Sequence, residues 1–275
     1  MILEFLQKLL ARLLSGDASQ SGTQLPSKAG LQKPHDFTPD IHEPEKLTDT
    51  QENRTFTTSR RAFDMSAEAQ LALFLDKYLY ERFPDIHRYS SIKRISDKRE
   101  QLNGTDVRFI MKDGRVFNVD EKAQLYYLNK NLPTFAFEIQ FLRRGIPTTG
   151  WLCNDRLETD YYLLIWPFAD RDTSSGISWR NFTKADCLMI SKQDVLSFLA
   201  ENGLTKARLL ADANAIRQEH RTGKIRIEGL SGIYYFASYP QYYAEAPINI
   251  VISKSYLRHI ATRHYIVTPE KVEHN

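Results

Sequence analysis

Apolar residues alternate with polar ones, or run together, in six short segments, and such segments predict β-strands. Three lie mid-chain: TFAFEIQFL at 134–142, TDYYLLIWP at 159–167 and DCLMI at 186–190. Three lie nearer the C-terminus: KIRIE at 224–228, GIYYFAS at 232–238 and INIVIS at 248–253. Strands and helices alternate too irregularly for a doubly wound fold. The pattern therefore predicts an α/β domain whose mixed central sheet is flanked by helices.

Four other segments carry apolar residues at helical spacing. The first lies within residues 64–84, between a Ser66 cap and Pro84. Its apolar face is formed by Leu71, Phe74 or Leu75, Tyr78, Leu79 and Phe83. The others are SKQDVLSFLAENG at 191–203, TKARLLADANAIRQEH at 205–220 and KSYLRHIATRH at 254–264. In the 191–203 segment, a Ser191-to-Asp194 capping box and the stop residue Gly203 mark the predicted ends.

The N-terminal quarter of the chain has a different character. Residues 1–14 place leucines on one stripe, which predicts an amphipathic helix that docks on its own domain, on a protein partner or on a membrane surface. Residues 15–61 are rich in Ser, Thr, Gln, Asp, Pro and Lys and show no apolar period, so they predict a flexible, disordered linker. The folded domain is predicted to occupy residues 62–275.

Composition narrows the class of protein. The formal net charge of +3 is compatible with a polyanionic partner but is too small for a dedicated nucleic-acid coat. The two cysteines, Cys153 and Cys187, have no neighbour at metal-ligand spacing, which excludes a zinc site and predicts reduced thiols in the cytoplasm. No run of about 18 apolar residues occurs, so no membrane-spanning helix is predicted.

The segment LNGTDVRFIMKDGRVFNVDEKAQ, residues 102–124, predicts a hairpin with many charged residues. Its KDG loop suits a three-residue turn with Gly114 in the left-handed position. Counting back from that loop pairs Phe109 with Phe117 and places Asp106 opposite Asp120. A two-residue loop would mismatch the hydrophobic pairs, so the longer loop is favoured.

This register predicts that Asp106, Asp120 and Lys122 share one face, while the Glu121 side chain lies on the other. Two adjacent carboxylates repel unless something neutralises them, and a divalent metal does so well. In FAFEIQF, residues 135–141, Glu138 and Gln140 point away from the phenylalanines. If that strand lies beside the Asp120 strand, these two side chains extend the same polar face.

GTD at 104–106, followed by DEK at 120–122 in a hairpin preceded by a helix, resembles the PD-(D/E)XK nuclease superfamily, with Thr105 replacing the proline of the motif. The resemblance implies a restriction-endonuclease-like core and a catalytic core of about residues 62–190. A glutamate from the preceding helix often joins the site in this family. Glu68, Asp76 and Glu81 are the candidates, and Glu68 is preferred for its distance upstream.

The function implied by this resemblance is Mg²⁺-dependent hydrolysis of phosphodiester bonds in DNA by an endonuclease, with RNA and Mn²⁺ as open alternatives. Asp106, Asp120 and the carbonyl of Glu121 would hold the metal. Lys122 would orient the attacking water and offset phosphate charge. Gln140 would position the scissile phosphate, and Glu138 or Glu68 would hold a second metal or act through a water.

Several alternatives stand beside this hypothesis. The three hairpin residues would also suit an exposed face whose ion pair contributes under about 1 kcal/mol. A second function is a non-catalytic adaptor or nucleic-acid-binding module that keeps a nuclease-like sheet and docks through residues 1–14. A homo-oligomer is compatible with either function. GIYYFAS resembles the opening of GIY-YIG nucleases, but the second half of that motif is absent, which favours a core strand.

Basic and aromatic residues outside the hairpin could follow a nucleic-acid backbone. The basic residues are Arg143, Arg144, Arg171, Arg180, Lys184, Arg217, Arg221, Lys224 and Arg226. Trp151, Trp179 and the tyrosines are candidate stacking partners, although Gly150 and Trp151 also suit the scaffold. His259 and His264 lack metal-ligand spacing and are predicted on the surface of the last helix.

Overall fold

The computed structural model describes residues 67–171, 176–238 and 245–275, which contain two β-sheets, five α-helices and three single-turn 3-10 helices. The helices are α1 (67–75, continued by a π-helical turn Asp76–Tyr80), α2 (Lys98–Leu102), α3 (Lys192–Glu201), α4 (Lys206–Gln218) and α5 (Lys254–Ile260). The strands are β1 (Tyr89–Arg94), β2 (Val107–Met111), β3 (Val116–Ala123), β4 (Thr134–Arg143), β5 (Ile146–Thr149), β6 (Tyr161–Ala169), β7 (Phe182–Ser191), β8 (Gly223–Arg226), β9 (Ile233–Ala237), β10 (Ile248–Ser253), β11 (Arg263–Val267) and β12 (Val272–His274). The predicted helix of residues 1–14, the linker of residues 15–61 and the Ser66 cap lie outside the described residues.

The first sheet is mixed, as predicted, and has the strand order β1-β2-β3-β6-β7-β11-β12. β3 and β6 run parallel, while the other neighbouring strands run antiparallel. β6 is buried on both faces, which explains why its sequence is almost continuously apolar. Tyr162, Leu164 and Trp166 face one core cluster, whereas Leu163 and Ile165 face the other.

The two faces of the mixed sheet are covered differently. Helix α1 packs on one face, where both Phe74 and Leu75 are fully buried. The other face packs against a second, antiparallel sheet of order β5-β4-β10-β9-β8 and against residues of α3, α4 and α5. The chain is therefore α/β, but one flanking layer is a sheet where helices were predicted.

Several local predictions are confirmed. α3 begins at Ser191, whose hydroxyl accepts a hydrogen bond from the Asp194 backbone N–H at 2.9 Å. The GIYYFAS segment forms core strand β9, with Ile233 and Tyr235 buried. Apart from these predictions, none of the helices in the described residues combines the length and the apolar character that a membrane crossing requires.

Two predictions are wrong. The predicted last helix stops at Ile260, and Arg263–Val267 forms strand β11, because this segment pairs with β7 and buries Tyr265 and Val267. His264 therefore lies in a strand, not on a helix surface. The β4 strand does not lie beside the Asp120 strand, because β6 occupies that position and β4 pairs with β5 and β10 in the second sheet.

Candidate active site

The hairpin register agrees with the sequence prediction. Phe109 pairs with Phe117 and Val107 pairs with Val119. The loop is closed by a hydrogen bond from the Gly114 N–H to the Met111 carbonyl at 3.0 Å, and Gly114 has φ +87°, a conformation that favours glycine. The apolar matches and the turn thus fix which residues meet at the open end of the hairpin.

An acid pair lies at that open end. Asp106 immediately precedes β2, and its backbone N–H donates to the Val119 carbonyl at 2.9 Å. Its carboxylate accepts a hydrogen bond from the Glu121 N–H at 2.8 Å, beside Asp120 in β3. Asp120 is buried, and Lys122 Nζ donates to its Oδ1 at 2.7 Å. The structure therefore brings together Asp106, Asp120 and Lys122.

The electrostatics of this cluster are unbalanced, because two acids share one cation. Burial, followed by the charge of Asp120, raises the pKa of Asp106 to about 6. Burial lowers the pKa of Lys122, but the charges of Asp120, Asp106 and Glu138 raise it more, so its net shift is upward. Lys122 therefore stays protonated at neutral pH, whereas Asp106 loses its proton at about pH 6.

Glu121 points its carboxylate to the opposite face of the sheet, as predicted. It accepts hydrogen bonds from the Tyr80 hydroxyl at 2.6 Å and from Arg94 Nη1 at 2.8 Å. The same Arg94 donates through Nε to Asp76 at 2.8 Å. On the acid-pair side, Glu121 can contribute its backbone only, and Asp76 belongs to this second network.

A cavity of about 500 Å³ opens over the acid pair. Its polar lining includes Glu68, Asp106, Asp120 and Lys122, and its apolar lining comes from Leu102, Phe135, Trp151 and Leu157. Of the three helix acids considered, Glu68 lines this cavity, Asp76 pairs with Arg94, and Glu81 is exposed. The arrangement agrees with the preference for Glu68.

Glu138 and Gln140 lie in β4, across the interface between the sheets, and the neighbouring Phe135 and Ala136 form the cavity wall there. Burial and the charge of Glu245 raise the pKa of Glu138, against the lowering effect of Lys122. Gln140 donates to Asn214 Oδ1 at 2.7 Å. Glu138 is thus an electrostatic neighbour of Lys122.

The amide of Gln140 has a second partner, because its Oε1 accepts from Arg217 Nε at 2.7 Å. Both ends of this side chain are therefore bonded to α4, away from the cavity lining. These contacts do not support the predicted role of Gln140 in positioning the scissile phosphate.

Trp151, which the sequence offered only as one of several candidate stacking partners, lies in the site. It lines the cavity, and Lys122 Nζ lies 5.3 Å from its ring centroid. The preceding Gly150 approaches β4 so closely that a Cβ there would lie 2.5 Å from the Glu138 carbonyl oxygen. This close approach is the reason for glycine before the tryptophan, and the GW pair is the signal that indicates it.

The donor set suits a hard divalent cation. Asp106 and Asp120 supply two adjacent carboxylates with one balancing charge, and carboxylates are oxygen ligands of the kind Mg²⁺ prefers. The Glu121 carbonyl remains the predicted third ligand. Within the described ranges, no group of three or more His, Cys, Asp and Glu side chains has metal-binding geometry. A cation here would depend on backbone and solvent oxygens as well.

The basic residues proposed as a phosphate-tracking surface are dispersed. Arg143 and Arg144 lie at the turn between β4 and edge strand β5, whereas Lys224 and Arg226 lie in β8, the opposite edge of the second sheet. Arg217 is bonded to Gln140. These residues do not form one continuous surface.

Comparison of the chain with protein-family models, with curated proteins and with solved structures found no match. The class that the described residues define is an α/β protein with a mixed sheet and an acid pair at the floor of a cavity.

Proposed function

We propose that this chain is a metal-dependent nuclease of the PD-(D/E)XK type that hydrolyses phosphodiester bonds in DNA. The observation that carries the proposal is the cluster at the cavity floor: Asp106 beside a buried Asp120, with Lys122 bonded to Asp120 at 2.7 Å. Two acids against one lysine leave an excess of negative charge that a divalent cation would neutralise, and the cation together with Lys122 would then attract a phosphate.

The strand arrangement supports a restriction-endonuclease-like core. α1 precedes the meander β1-β2-β3, and the next strand of the sheet, β6, runs parallel to β3. The acids lie on β3 and immediately before β2, near the edge where Glu68 of α1 lines the same cavity. In the resembling family two strand acids and a lysine likewise follow a helix that often supplies a glutamate. This chain departs from the family after Lys122, because strands β4 and β5 lie where a helix is usual.

Each residue then has a chemical role. Asp106, Asp120 and the Glu121 carbonyl would hold Mg²⁺ or Mn²⁺, which when bound supplies Lewis-acid polarisation of a phosphate oxygen and lowers the pKa of water. Lys122, a cation with a raised pKa, binds the phosphate and stabilises charge as the bond breaks. Asp106, with a pKa of about 6, is ionised at neutral pH and accepts hydrogen bonds from the attacking water.

A cytoplasmic location belongs to this proposal. Both cysteines, Cys153 and Cys187, are free and buried. Burial raises the pKa of each thiol, so neither is a reactive thiolate. Such thiols suit a reducing compartment.

The test is cleavage of supercoiled plasmid and of an end-labelled single-stranded DNA in Mg²⁺ and in EDTA. The wild type should cleave in Mg²⁺ alone, and Asp120→Asn should lose about 10²–10³-fold in rate because it removes a charged ligand. Asp212→Asn is the matched control, because Asp212 on α4 bonds to Tyr235 at 2.7 Å. If Asp120→Asn keeps wild-type activity, the proposal fails. A parallel assay with a single-stranded RNA shows whether the substrate is DNA or RNA.

The second candidate is the non-catalytic adaptor or binding module. It is favoured by the Asp120–Lys122 ion pair, which already gives the buried acid a partner. This function predicts no metal binding and loss of localisation or assembly when residues 1–14 are deleted. It fails if the deleted variant behaves like the wild type in both respects.

A further inference from the structure

We propose that the cavity binds one unpaired nucleotide with its base against Trp151, so that the substrate is a single strand or an unpaired end. This inference rests on the proposed function and deepens it. The cavity lining combines charged side chains, which are Asp106, Asp120 and Lys122 among others, with apolar ones that include Trp151 and Phe135. A nucleotide has the same division between a charged phosphate and an apolar base face.

Trp151 is held rigidly enough to serve as a stacking surface. Its ring packs against Tyr162 at a centroid distance of 4.9 Å and against Phe137 at 5.4 Å. Its carbonyl accepts a hydrogen bond from the Tyr162 hydroxyl at 3.4 Å. Its side chain is only partly buried and lines the cavity. A preorganised aromatic ring at a partly open wall loses little freedom when a base stacks on it.

The short distance between Lys122 Nζ and the Trp151 ring means that the phosphate and the base they contact belong to the same or adjacent nucleotides. Lys122 Nζ lies 5.3 Å from the ring centroid, so a phosphate bound to Lys122 carries its neighbouring base next to the indole. In a duplex that base is already stacked and paired, so it must be unstacked and unpaired before it can reach the ring. An unpaired base avoids this cost.

The size and mouth of the cavity agree with a single inserted nucleotide. About 500 Å³ holds a small-molecule-sized group but not a duplex. Leu102 at the end of α2 belongs to the lining and is 79% exposed, which makes it a conspicuous apolar side chain beside an acidic site.

The test is equilibrium binding in EDTA, which separates recognition from cleavage. Fluorescence anisotropy of a labelled oligothymidylate and of a blunt hairpin duplex is measured with the wild type, Trp151→Ala, Trp151→Phe and Trp179→Ala. The wild type should bind the single strand more tightly than the duplex. Trp151→Ala should weaken single-strand binding about tenfold while Trp151→Phe restores most of it, because stacking needs an aromatic face.

Trp179→Ala is the matched control, since Trp179 lies on the α1 side beside Lys77 at 4.7 Å. The inference is overturned if Trp151→Ala and Trp179→Ala weaken single-strand binding equally. It is also overturned if the wild type binds the duplex more tightly than the single strand. A second measurement needs no variant: a strand containing 2-aminopurine should lose fluorescence on binding the wild type, and unchanged fluorescence overturns the inference. Asp212→Asn, remote from the cavity lining, should bind the strand like the wild type. Because binding in EDTA does not depend on cleavage, failure of the nuclease proposal and failure of this one give different results.

Discussion

Two buried acid clusters in this protein have opposite charge balance. At the cavity floor, Asp106 and Asp120 share one cation, and the pKa of Asp106 rises to about 6. On β7, Asp186 has cationic partners on two neighbouring elements, α5 and β11. They are Lys254 at 2.9 Å, Arg258 at 3.3 Å and, when protonated, His264 at 2.7 Å.

The pKa of Asp186 falls accordingly. Burial would raise it, but the hydrogen bonds and charges of Lys254 and His264 lower it more. Lys254 also donates to Asn131 at 2.8 Å and lies 4.0 Å from the Trp166 ring centroid. The Asp186 cluster is satisfied and links β7, β11 and α5, whereas the Asp106–Asp120 cluster lacks positive charge. Burial alone therefore does not distinguish the two acid clusters, whereas the balance of neighbouring charges does.

The largest expected effect is a difference in cleavage rate between variants of Lys122 and of Lys254. Lys122→Met should lower the cleavage rate about 10²–10³-fold, because it removes the cation beside the reacting phosphate. Lys254→Met should leave the rate per folded molecule unchanged. The measurement is initial cleavage rate normalised to the folded fraction from circular dichroism, and equal losses in the two variants would contradict the distinction.

The stability of the Asp186 cluster gives the next effect. Lys254→Met should lower the free energy of unfolding by about 2–3 kcal/mol, because it removes the buried Lys254 donor from buried Asp186 and from the Asn131 side chain. Urea denaturation measures the change. Added Mg²⁺ should not restore this lost stability, because His264 and Arg258 still supply positive charge to Asp186. A loss that Mg²⁺ reverses would mean that the wrong cluster binds the cation.

Removing the excess acid should stabilise the protein. Because the folded pKa of Asp106 is raised from 3.8 to about 6, its contribution to stability is present below pH 3.8 and is lost as pH rises through about 6. Asp106→Asn should therefore raise the free energy of unfolding at pH 7 by on the order of 1–2 kcal/mol in EDTA. The gain should fade toward pH 4, and a destabilised variant at pH 7 contradicts this electrostatic account.

The smallest effect concerns Thr105, which precedes Asp106. Its side chain is fully buried, and its hydroxyl finds no partner among the described residues. Thr105→Val removes that polar atom at nearly constant volume, so the free energy of unfolding should stay level or rise by up to about 1 kcal/mol. Thermal unfolding checks it, and a clear drop would show that the hydroxyl has a partner.

Local features of the fold and the site were predictable from the sequence. The hairpin register follows from the turn and from side-chain alternation, since a slip of one residue exposes Phe109 and Val107. The same argument placed the Glu121 carboxylate on the opposite face, where Arg94 and Tyr80 bind it. Both inferences depend on residues close together in the chain.

Features that depend on distant segments were not predictable. β6 pairs with β3, whereas β4 pairs with β10 in the other sheet. The hydrophobic pattern of each strand does not indicate which of the two lies beside β3. Glu138 therefore lies across the sheet interface instead of beside Asp120. Strand β11 was hidden for the same reason, because its pairing with β7 overrides a helical pattern that continues through His264.

The most direct test of the central claim is a calorimetric titration of the protein with Mn²⁺, in which the charge-deficient cluster should bind the ion. We predict binding by the wild type, at least about tenfold weaker binding by Asp106→Asn and by Asp120→Asn, and wild-type binding by Asp186→Asn. Wild-type protein that takes up no Mn²⁺, or an Asp186→Asn variant that loses it equally, would contradict the account.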